Sequence, residues 1–354
     1  MTSMRPVPLA EPSGSPIIGW DVGGVNLKAA RLADDVLTTV IQPFELQRAP
    51  DRLAAALQSV AARLHSTPSD LHALTMTAEL SQHFRTKRDG VRFVLEAIRA
   101  ALGSDAIIRV WCTDGRFRTP AEVASDPLQA AASNWLATAT FVAAGSADTI
   151  VVDVGSTTTD VIPIVGGTVA VVGRTDPDRL RSGELVYTGA LRTPLEAIVK
   201  HVPLGDDVAA VSAEGFAITA DVHLWLGNLS AEDYTVPTPD GRPATRVFAG
   251  ERLARLVCAD RDLLDEAGIH RVARAVAEAQ IDDVRAALRR VHARHPHIKT
   301  AIVTGLGDFL AAAAAERVGL TPVALAAVLG PDAARAAPAA AVAHLLRALR
   351  PARV

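Results

Sequence analysis

The alternation of apolar and polar residues predicts two β-hairpins of the same design. The first is "IIGWDVGGVNLKAARL" (residues 17–32) and the second is "IVVDVGSTTTDVIPI" (residues 150–164). In each, an apolar run ends in Asp-Val-Gly, a short polar turn follows, and the apolar residues resume, as expected of two strands around a glycine-containing turn. Asp21 aligns with Asp153. Because one hairpin opens each half of the chain, the repeat predicts two similarly folded lobes.

Helical and strand-like segments alternate along the rest of the chain. Apolar residues recur at helical spacing in residues 51–65, 90–102, 126–144, 250–264 and 269–295, with further helix from about Gly215. Strand-like runs occupy residues 71–80, 106–115, 167–173 and 183–191, and residues 300–319 combine a strand, a glycine turn and a helix. This mixture predicts an α/β protein of two lobes. We place the first lobe at residues 1–148 and the second at residues 149–354, and leave open whether the C-terminal helix packs back on the first lobe.

Composition narrows the class of protein. The chain has 354 residues, of which 49% are hydrophobic, so a large core can be buried. The net charge is −3, with no cluster of Lys and Arg, which argues against nucleic acid as a partner. Two cysteines, the lack of an apolar signal-peptide run before Ile17 and the lack of a long apolar segment favour a cytoplasmic protein without a membrane span.

The polar turns carry candidate phosphate-binding chemistry. A third glycine turn, "TGLGD" (residues 304–308), lies between the strand and the helix of residues 300–319. Glycines let backbone N–H groups approach an anion, hydroxyls add donors, and the helix N-terminus favours negative charge. We therefore expect the three turns to form one phosphate site. The candidate phosphate-binding residues are Gly23, Gly24, Asn26, Gly155, Ser156, Thr157, Thr158, Thr159, Gly305 and Gly307.

Acidic residues beside these turns suggest a metal ion. A carboxylate cannot bind phosphate directly, but it can hold Mg²⁺, which then meets the phosphate. Asp21, Asp153 and Asp160 are the candidate Mg²⁺ ligands. Lys28, on the outgoing strand of the first hairpin, is either a phosphate ligand or a surface lysine. Any one of these turns alone is equally well explained as ordinary hairpin structure.

The ordered set of three turns resembles the phosphate-one, phosphate-two and adenosine motifs of the actin, sugar-kinase and heat-shock-protein superfamily. That resemblance implies two ribonuclease-H-like lobes with a cleft between them. Further segments resemble one branch, the hydantoinase/oxoprolinase-like proteins linked to tetrahydromethanopterin-dependent C1 transfer, and the likeness covers Ile17 to about Leu310. These segments are "TMTAELS" (75–81), "ASNWLATA" (132–139), "ELVYTGALRTPLEAI" (184–198), "EGFAITADVHLWLG" (214–227) and "GERLARLVCAD" (250–260).

This branch implies a transferase of methanofuran or methylofuran biosynthesis. Such an enzyme condenses an aminomethyl-furan-methyl diphosphate with the phenol oxygen of a tyramine-type or tyrosine-type acceptor and releases pyrophosphate. The furan stabilises positive charge at the departing carbon, and the protein neutralises the leaving pyrophosphate and positions the phenol. We expect small-molecule substrates and leave a homodimer open. Asp21, Asp153 and Lys28 would then serve the reaction.

Within the resembling segments, four more residues are candidates, each weighed against a structural role. Glu79 ends an apolar strand and could accept the phenol proton as a general base, or it could be a surface acid. Arg192 could clamp phosphate or carboxylate in a bidentate pair. Tyr187 contacts substrate or is structural. Asp221, on a predicted helix, reaches the substrate or makes a packing hydrogen bond.

The third turn departs from the nucleotide-binding pattern. It lacks the paired glycines that are common where adenine packs, and Asp308 adds negative charge there. This favours a diphosphate other than a nucleotide. Two alternatives stay open: an ATP-dependent kinase or amide-activating or hydrolysing enzyme of the same fold, and a non-catalytic nucleotide-binding protein.

Overall fold

A computed structural model describes residues 14–349, so residues 1–13 of the polar N-terminal segment lie outside the described residues. The chain divides into two compact units. Unit 1 comprises Met1–Ser146, Gly167–Val169 and Leu329–Val354, and unit 2 comprises Ala147–Gly166 and Ala170–Val328. The C-terminal helix therefore belongs to unit 1. The observed architecture is the α/β class predicted from the sequence.

Unit 1 is built on a six-stranded mixed sheet in the order β3-β2-β1-β4-β5-β6. The strands β1 and β2 pair antiparallel, whereas β4 runs parallel to β1 on its other side. Its strands are β1 (Ile17–Val22), β2 (Asn26–Ala33), β3 (Val36–Pro43), β4 (Leu71–Met76), β5 (Ile108–Trp111) and β6 (Phe117–Arg118). Its helices are α1 (Leu53–Arg63), α2 (Lys87–Leu102), α3 (Pro120–Ser125) and α4 (Asn134–Ala143).

Unit 2 contains a sheet in which β8 and β13 flank β7, antiparallel and parallel respectively. The sheet order is β10-β8-β7-β13-β14, and β11 and β12 form a separate hairpin. Its strands are β7 (Thr149–Val154), β8 (Thr159–Val165), β10 (Leu185–Val186), β11 (His201–Leu204), β12 (Asp207–Ala210), β13 (Thr300–Thr304) and β14 (Thr321–Ala324), and β9 (Thr168–Val169) precedes α5. Its helices are α5 (Asp176–Ser182), α6 (Thr219–Leu226), α7 (Arg246–Arg255), α8 (Glu266–His292) and α9 (Asp308–Val318). After β14 come α10 (Ala326–Leu329), α11 (Pro331–Arg335) and α12 (Ala337–Ala348). Of these, α11 and α12 belong to unit 1.

The central strand β1 is buried along its whole length because helices cover both faces of the sheet in unit 1. Residues of α1 and α2 share one hydrophobic cluster with Trp20 and Val22. On the other side α12, rich in alanine, packs against β1. A Cβ atom at Gly19 would lie 1.9 Å from the carbonyl oxygen of Ala339, so only glycine allows this close approach.

The long helix α8 joins two cores of unit 2. Its first half contributes Val272 and Val276 to a cluster that includes Trp225. Its second half contributes Val284 and Leu288 to the cluster under the sheet. A helix anchored at both ends by buried apolar side chains is a rigid support for any polar residue between them.

Two predicted helices are only partly helical: residues 250–264 are helical only as far as the end of α7 at Arg255, and residues 126–144 are not helical over their first half. Residues 126–144 contain a short 3₁₀ turn at Pro127–Gln129, and α4 begins only at Asn134. Between them, Ala132 adopts a φ of 49° and the Ser133 hydroxyl donates to the carbonyl oxygen of Trp111 at 3.0 Å. The alanine-rich pattern fits a helix locally, but this long-range hydrogen bond fixes a break. The strand-like runs at 167–173 and 183–191 are also shorter than predicted.

Cys112 is buried and Cys258 is exposed, and both are free in this structure. Across residues 14–349, no helix is both long enough and apolar enough to span a bilayer.

Candidate functional site

The two hairpin turns have the same geometry in their separate units. In unit 1 the Gly23 N–H donates to the carbonyl oxygen of Asn26 at 3.0 Å, and in unit 2 the Gly155 N–H donates to that of Thr158 at 2.9 Å. The sequence repeat is therefore a structural repeat. At Gly23 a Cβ atom would lie 2.9 Å from the Asn26 carbonyl oxygen, which favours glycine at the start of the first turn.

A parallel strand ends beside each hairpin turn. Thr75 of β4 pairs in register with Asp21, and Thr304 of β13 with Asp153. The chain that leaves each parallel strand hydrogen-bonds back to the hairpin, through Thr77 N–H to Val22 O at 3.0 Å in unit 1. Each unit thus gathers an aspartate, a glycine turn and a strand exit at one end of its sheet, where open α/β sheets bind ligands.

In unit 1 the strand exit carries Glu79. This residue lies in a 3₁₀ turn, Ala78–Leu80, directly after β4, and it is only 2% exposed. The turn lies tightly on α2, because a Cβ atom at Gly90 would be 2.6 Å from the Glu79 Cα. Glu79 is therefore a buried acid with a fixed backbone, which excludes the alternative of a surface carboxylate.

Lys28 lies across the first hairpin from Asp21. The two residues pair in the register of β1 and β2, so their side chains project from the same face of the sheet. Lys28 is partly exposed and Asn26 is buried. Gly24 has open space around the position of a Cβ atom, so its backbone is accessible at the turn.

In unit 2 the strand exit is made of glycine. Gly305 has a φ of 91°, and a Cβ atom there would lie 2.4 Å from the Asp153 Oδ1. Gly307 would place a Cβ atom 2.5 Å from the Val154 Cγ1, and its N–H donates to Val154 O at 2.9 Å. The predicted second and third turns therefore meet within unit 2. The helix α9 begins at Asp308, so its N-terminus faces this junction.

The segment of residues 187–192, which carries the predicted substrate residues Tyr187 and Arg192, supports the second hairpin turn through its backbone. The N–H of Ala190 donates to Gly155 O at 2.9 Å, and the N–H groups of Leu191 and Arg192 donate to Ser156 O at 3.1 and 3.0 Å. In a trans peptide the C=O and the following N–H point in opposite directions. The N–H groups of Ser156 and Thr157 therefore point away from this segment, as a backbone anion nest requires.

The two predicted substrate residues of this segment are accessible. Tyr187 is 58% exposed, and the Arg192 side chain is also exposed although its N–H is bound to the turn. Close packing fixes the segment between them, because a Cβ atom at Gly189 would lie 2.5 Å from the Thr157 nitrogen. An exposed arginine next to an anion nest is well placed to recognise a charged substrate group.

Asp160 and Asp221 do not lie in the arrangement predicted for them. Asp160 accepts a hydrogen bond from the buried Arg179 at 2.6 Å, and burial raises the pKa of its carboxyl while Arg179 opposes that shift. An ion pair already occupies this carboxylate, which makes it a poor Mg²⁺ ligand.

Asp221 is fully buried and serves packing. It accepts from Arg252 Nε at 2.8 Å, from the Tyr234 hydroxyl at 3.0 Å and from the Ile218 N–H at 3.1 Å. Arg252 Nη1 also donates a hydrogen bond to Asp240 Oδ1 at 3.0 Å. The predicted substrate contact is corrected to the packing alternative, because a fully buried carboxylate with three donors is committed to the protein.

Metal binding would rest on few protein groups. Among residues 14–349 no three His, Cys, Asp or Glu side chains lie close enough together to hold an ion. Asp21 belongs to unit 1 and Asp153 to unit 2. Sites for Mg²⁺ commonly use one or two carboxylates and complete the shell with water and substrate phosphates, so the single aspartate beside each glycine turn fits such a site within its own unit.

Comparisons with known proteins connect this geometry to an enzyme family. A family model described as hydantoinase/oxoprolinase matches residues 70–348. A (4-{4-[2-(gamma-L-glutamylamino)ethyl]phenoxymethyl}furan-2-yl)methanamine synthase from Methanocaldococcus jannaschii is 33% identical over 94% of this chain and 97% of its own length. A synthase of the same name from Methanococcus vannielii is 37% identical over 45% of this chain and 71% of its own length.

Among solved structures, a nucleotide-free acetone carboxylase is similar in fold. The match has a TM-score of 0.63 at 13% identity and covers 92% of this chain and 70% of the carboxylase chain. At that identity the likeness concerns the fold alone. The sequence-based expectation of an α/β fold is confirmed, and that fold is similar to the fold of the acetone carboxylase chain.

Proposed function

The chain belongs to the hydantoinase/oxoprolinase family, and from that premise we propose that it forms the aryl ether of a furan-containing coenzyme. It condenses an aminomethyl-furan-methyl diphosphate with the phenol oxygen of a tyramine-type or tyrosine-type acceptor and releases pyrophosphate. The step belongs to methanofuran or methylofuran biosynthesis. The substrates are small molecules, and the setting is the cytoplasm.

One observation carries this proposal: the likeness to the Methanocaldococcus synthase extends over nearly the whole of both chains. The name of that synthase describes a product in which a phenoxy oxygen is joined through a methylene to an aminomethyl-bearing furan. Forming that bond requires a phenol, an activated furan methylene and a leaving group, which are the three parts of the proposed reaction.

The turns of unit 2 suit the leaving group. As the bond between the furan methylene and the diphosphate oxygen breaks, negative charge accumulates on pyrophosphate while the furan stabilises the positive carbon. The N–H groups of Ser156 and Thr157 and the N-terminus of α9 are oriented dipoles that stabilise such charge without reorganising. The hydroxyls of Thr157 and Thr158 add donors.

Glu79 of unit 1 is the proposed general base. The phenol oxygen forms the new bond to the furan methylene, and the phenol proton passes to the Glu79 carboxylate. The electron pair of the old carbon–oxygen bond leaves with pyrophosphate, so atoms and charge balance. A buried carboxylate on a fixed backbone supports this role, because it holds the accepting oxygen in place.

Asp153 is the proposed Mg²⁺ ligand of unit 2, with Asp160 left out because it pairs with Arg179. Bound Mg²⁺ would neutralise part of the pyrophosphate charge. Asp21 and Lys28, which face each other across the first hairpin of unit 1, are proposed to act in that unit as a metal ligand and a phosphate ligand. Arg192 and Tyr187 are proposed to contact substrate, with Arg192 positioned by its N–H bond to the turn.

The test is a reconstitution with purified protein. The furan diphosphate, tyramine, tyrosine or γ-glutamyl-tyramine, and Mg²⁺ are combined without ATP. We expect the ether product and pyrophosphate in equal amounts, and Asp153→Asn should reduce both. A parallel incubation replaces the furan diphosphate with ATP, and conversion of ATP to ADP with transfer to an acceptor would favour the kinase alternative. Tight nucleotide binding without turnover of either substrate set would favour the non-catalytic alternative.

A further inference from the structure

A network of buried polar side chains lies behind the segment that supports the second hairpin turn. Gln280, near the middle of α8, is fully buried. Its Nε2 lies 2.9 Å from the Thr188 hydroxyl and 2.9 Å from the Gly189 carbonyl oxygen, and its Oε1 lies 2.8 Å from His223 Nε2. Neither Gln280 nor His223 belongs to the proposed reacting groups.

Hydrogen-bond chemistry fixes the orientation of this network. A carbonyl oxygen can only accept, so the Gln280 atom facing Gly189 must be the amide nitrogen. The Gln280 oxygen then accepts from His223, which makes Nε2 the protonated ring nitrogen. Burial lowers the pKa of His223 to about 4, so the ring is neutral at physiological pH and donates in one direction only.

Three threonines complete the support of the same two residues. The Thr219 hydroxyl donates to the Gly189 carbonyl oxygen at 2.9 Å, and the Gly189 N–H donates to the Thr193 hydroxyl at 3.0 Å. The Thr159 hydroxyl, at the start of β8, donates to the Thr188 carbonyl oxygen at 2.7 Å. The N–H and the C=O of Gly189 are thus both hydrogen-bonded to side chains of other residues.

The supported backbone lies directly against the turn. A Cβ atom at Gly189 would be 2.5 Å from the Thr157 nitrogen, and Ala190 and Leu191 donate to the Gly155 and Ser156 carbonyl oxygens. Because those carbonyls are drawn toward the segment, the N–H groups that follow them face the opposite way. A shift of Gly189 would therefore rotate the peptides that form the anion nest.

We propose that Gln280, backed by His223, is a positioning residue that holds Thr188 and Gly189 against the second hairpin turn and so sets the orientation of its diphosphate-binding N–H groups. This inference rests on the proposed diphosphate site. The rigid anchoring of α8 in two apolar cores supplies the fixed point from which Gln280 acts.

The test compares Gln280→Met with Val276→Ala. Methionine has about the volume of glutamine but cannot donate a hydrogen bond. Val276 lies one helical turn earlier and packs in the cluster that includes Trp225, so it serves as the control. Two readouts are needed on the purified full chain: amide hydrogen exchange of the peptide containing Ala190 and Leu191, and the Kd for inorganic pyrophosphate in the presence of Mg²⁺. Thermal unfolding of both variants gives their overall loss of stability.

We expect Gln280→Met to speed exchange at this peptide at least tenfold and to weaken pyrophosphate binding at least tenfold. Val276→Ala, at a similar loss of Tm, should leave the Kd within about twofold of wild type. Equal exchange and equal Kd in the two variants would overturn the positioning role. Faster local exchange in Gln280→Met, with no pyrophosphate binding by the wild-type protein, would support the positioning of the turn and refute the diphosphate site instead.

Discussion

The two hairpin turns share one design and differ in what completes them. Both close with the same hydrogen bond, and both lie beside the end of a parallel strand. In unit 1 the chain beyond that strand presents the buried Glu79, whereas in unit 2 it presents Gly305 and Gly307 packed against Asp153 and Val154. The same hairpin and parallel strand are thus followed by a carboxylate in unit 1 and by glycine backbone in unit 2.

The difference shows that two turns of one design can suit different chemistry. Backbone N–H groups suit a multiply charged leaving group, and a buried carboxylate suits acceptance of one proton. The carbonyl groups of both turns accept hydrogen bonds from backbone N–H groups of another segment. The turn of unit 2 is held by backbone bonds from residues 190–192, while that of unit 1 receives N–H donors from Phe44 and Leu46.

The largest expected effect separates the two acids that follow the parallel strands. Glu79→Gln should lower kcat by roughly 10²–10⁴-fold, because the amide cannot take the phenol proton. Asp308→Asn, at the corresponding exit in unit 2, removes a negative charge beside the proposed diphosphate site but no proton acceptor, so it should not lower kcat. Steady-state kinetics of both variants, with circular dichroism to verify folding, tests the assignment. A larger loss in Asp308→Asn would reverse the division of roles.

Each unit also carries one buried neutral histidine, which predicts a loss of stability in acid. Burial lowers the pKa of His72 in unit 1 and of His223 in unit 2 to about 4, below the value in an unfolded chain. Stability is full above pH 6.5 and is lost as the pH falls toward 4, since only the unfolded chain then takes up the proton. At pH 4.5 each histidine should cost roughly 2.5 kcal/mol.

Denaturant titration at pH 7.5 and pH 4.5 measures this loss. His72→Gln should flatten the pH dependence of the free energy of unfolding, and a steep acid loss that persists unchanged in this variant would contradict the assignment. His223→Gln should likewise flatten the pH dependence of the free energy of unfolding, through unit 2.

A smaller effect separates the glycines of the two turns. Gly305→Ala forces a left-handed residue to carry a Cβ atom 2.4 Å from Asp153 Oδ1, and the backbone strain alone should cost about 1–2 kcal/mol. Gly24→Ala in unit 1 has open space and should change Tm little. Differential scanning calorimetry of the Gly305→Ala and Gly24→Ala variants compares their losses of Tm. Equal Tm losses would show that the two turns are equally constrained.

The smallest expected effect concerns the aspartates of the second hairpin. Asp153→Asn should raise the Mg²⁺ concentration needed for half-maximal activity, by about tenfold for one lost ligand. Asp160→Asn should leave that requirement unchanged, because its carboxylate pairs with Arg179. Mg²⁺ titrations of both variants test this, and a raised requirement in Asp160→Asn would restore it as a ligand.

The sequence predicted the features that depend on local pattern. Apolar runs on both sides of Asp-Val-Gly identified both hairpins, and helical periodicity identified α8. It could not predict features that depend on distant partners. The hydrogen bond from Ser133 to Trp111 ends a helix that the local pattern favours, and the partner of Asp160 is a buried arginine on another element. Gln280 shows no local signal, since a single glutamine on an amphipathic helix is ordinary.

The central claim is that the phenol oxygen attacks the furan methylene and that pyrophosphate leaves intact. Turnover of an acceptor labelled with ¹⁸O in its phenol group, followed by mass spectrometry of both products, tests it directly. The account predicts the full label in the ether and none in the pyrophosphate. A labelled phosphate ester of the phenol, formed in place of the ether, would show phosphoryl transfer and contradict the account.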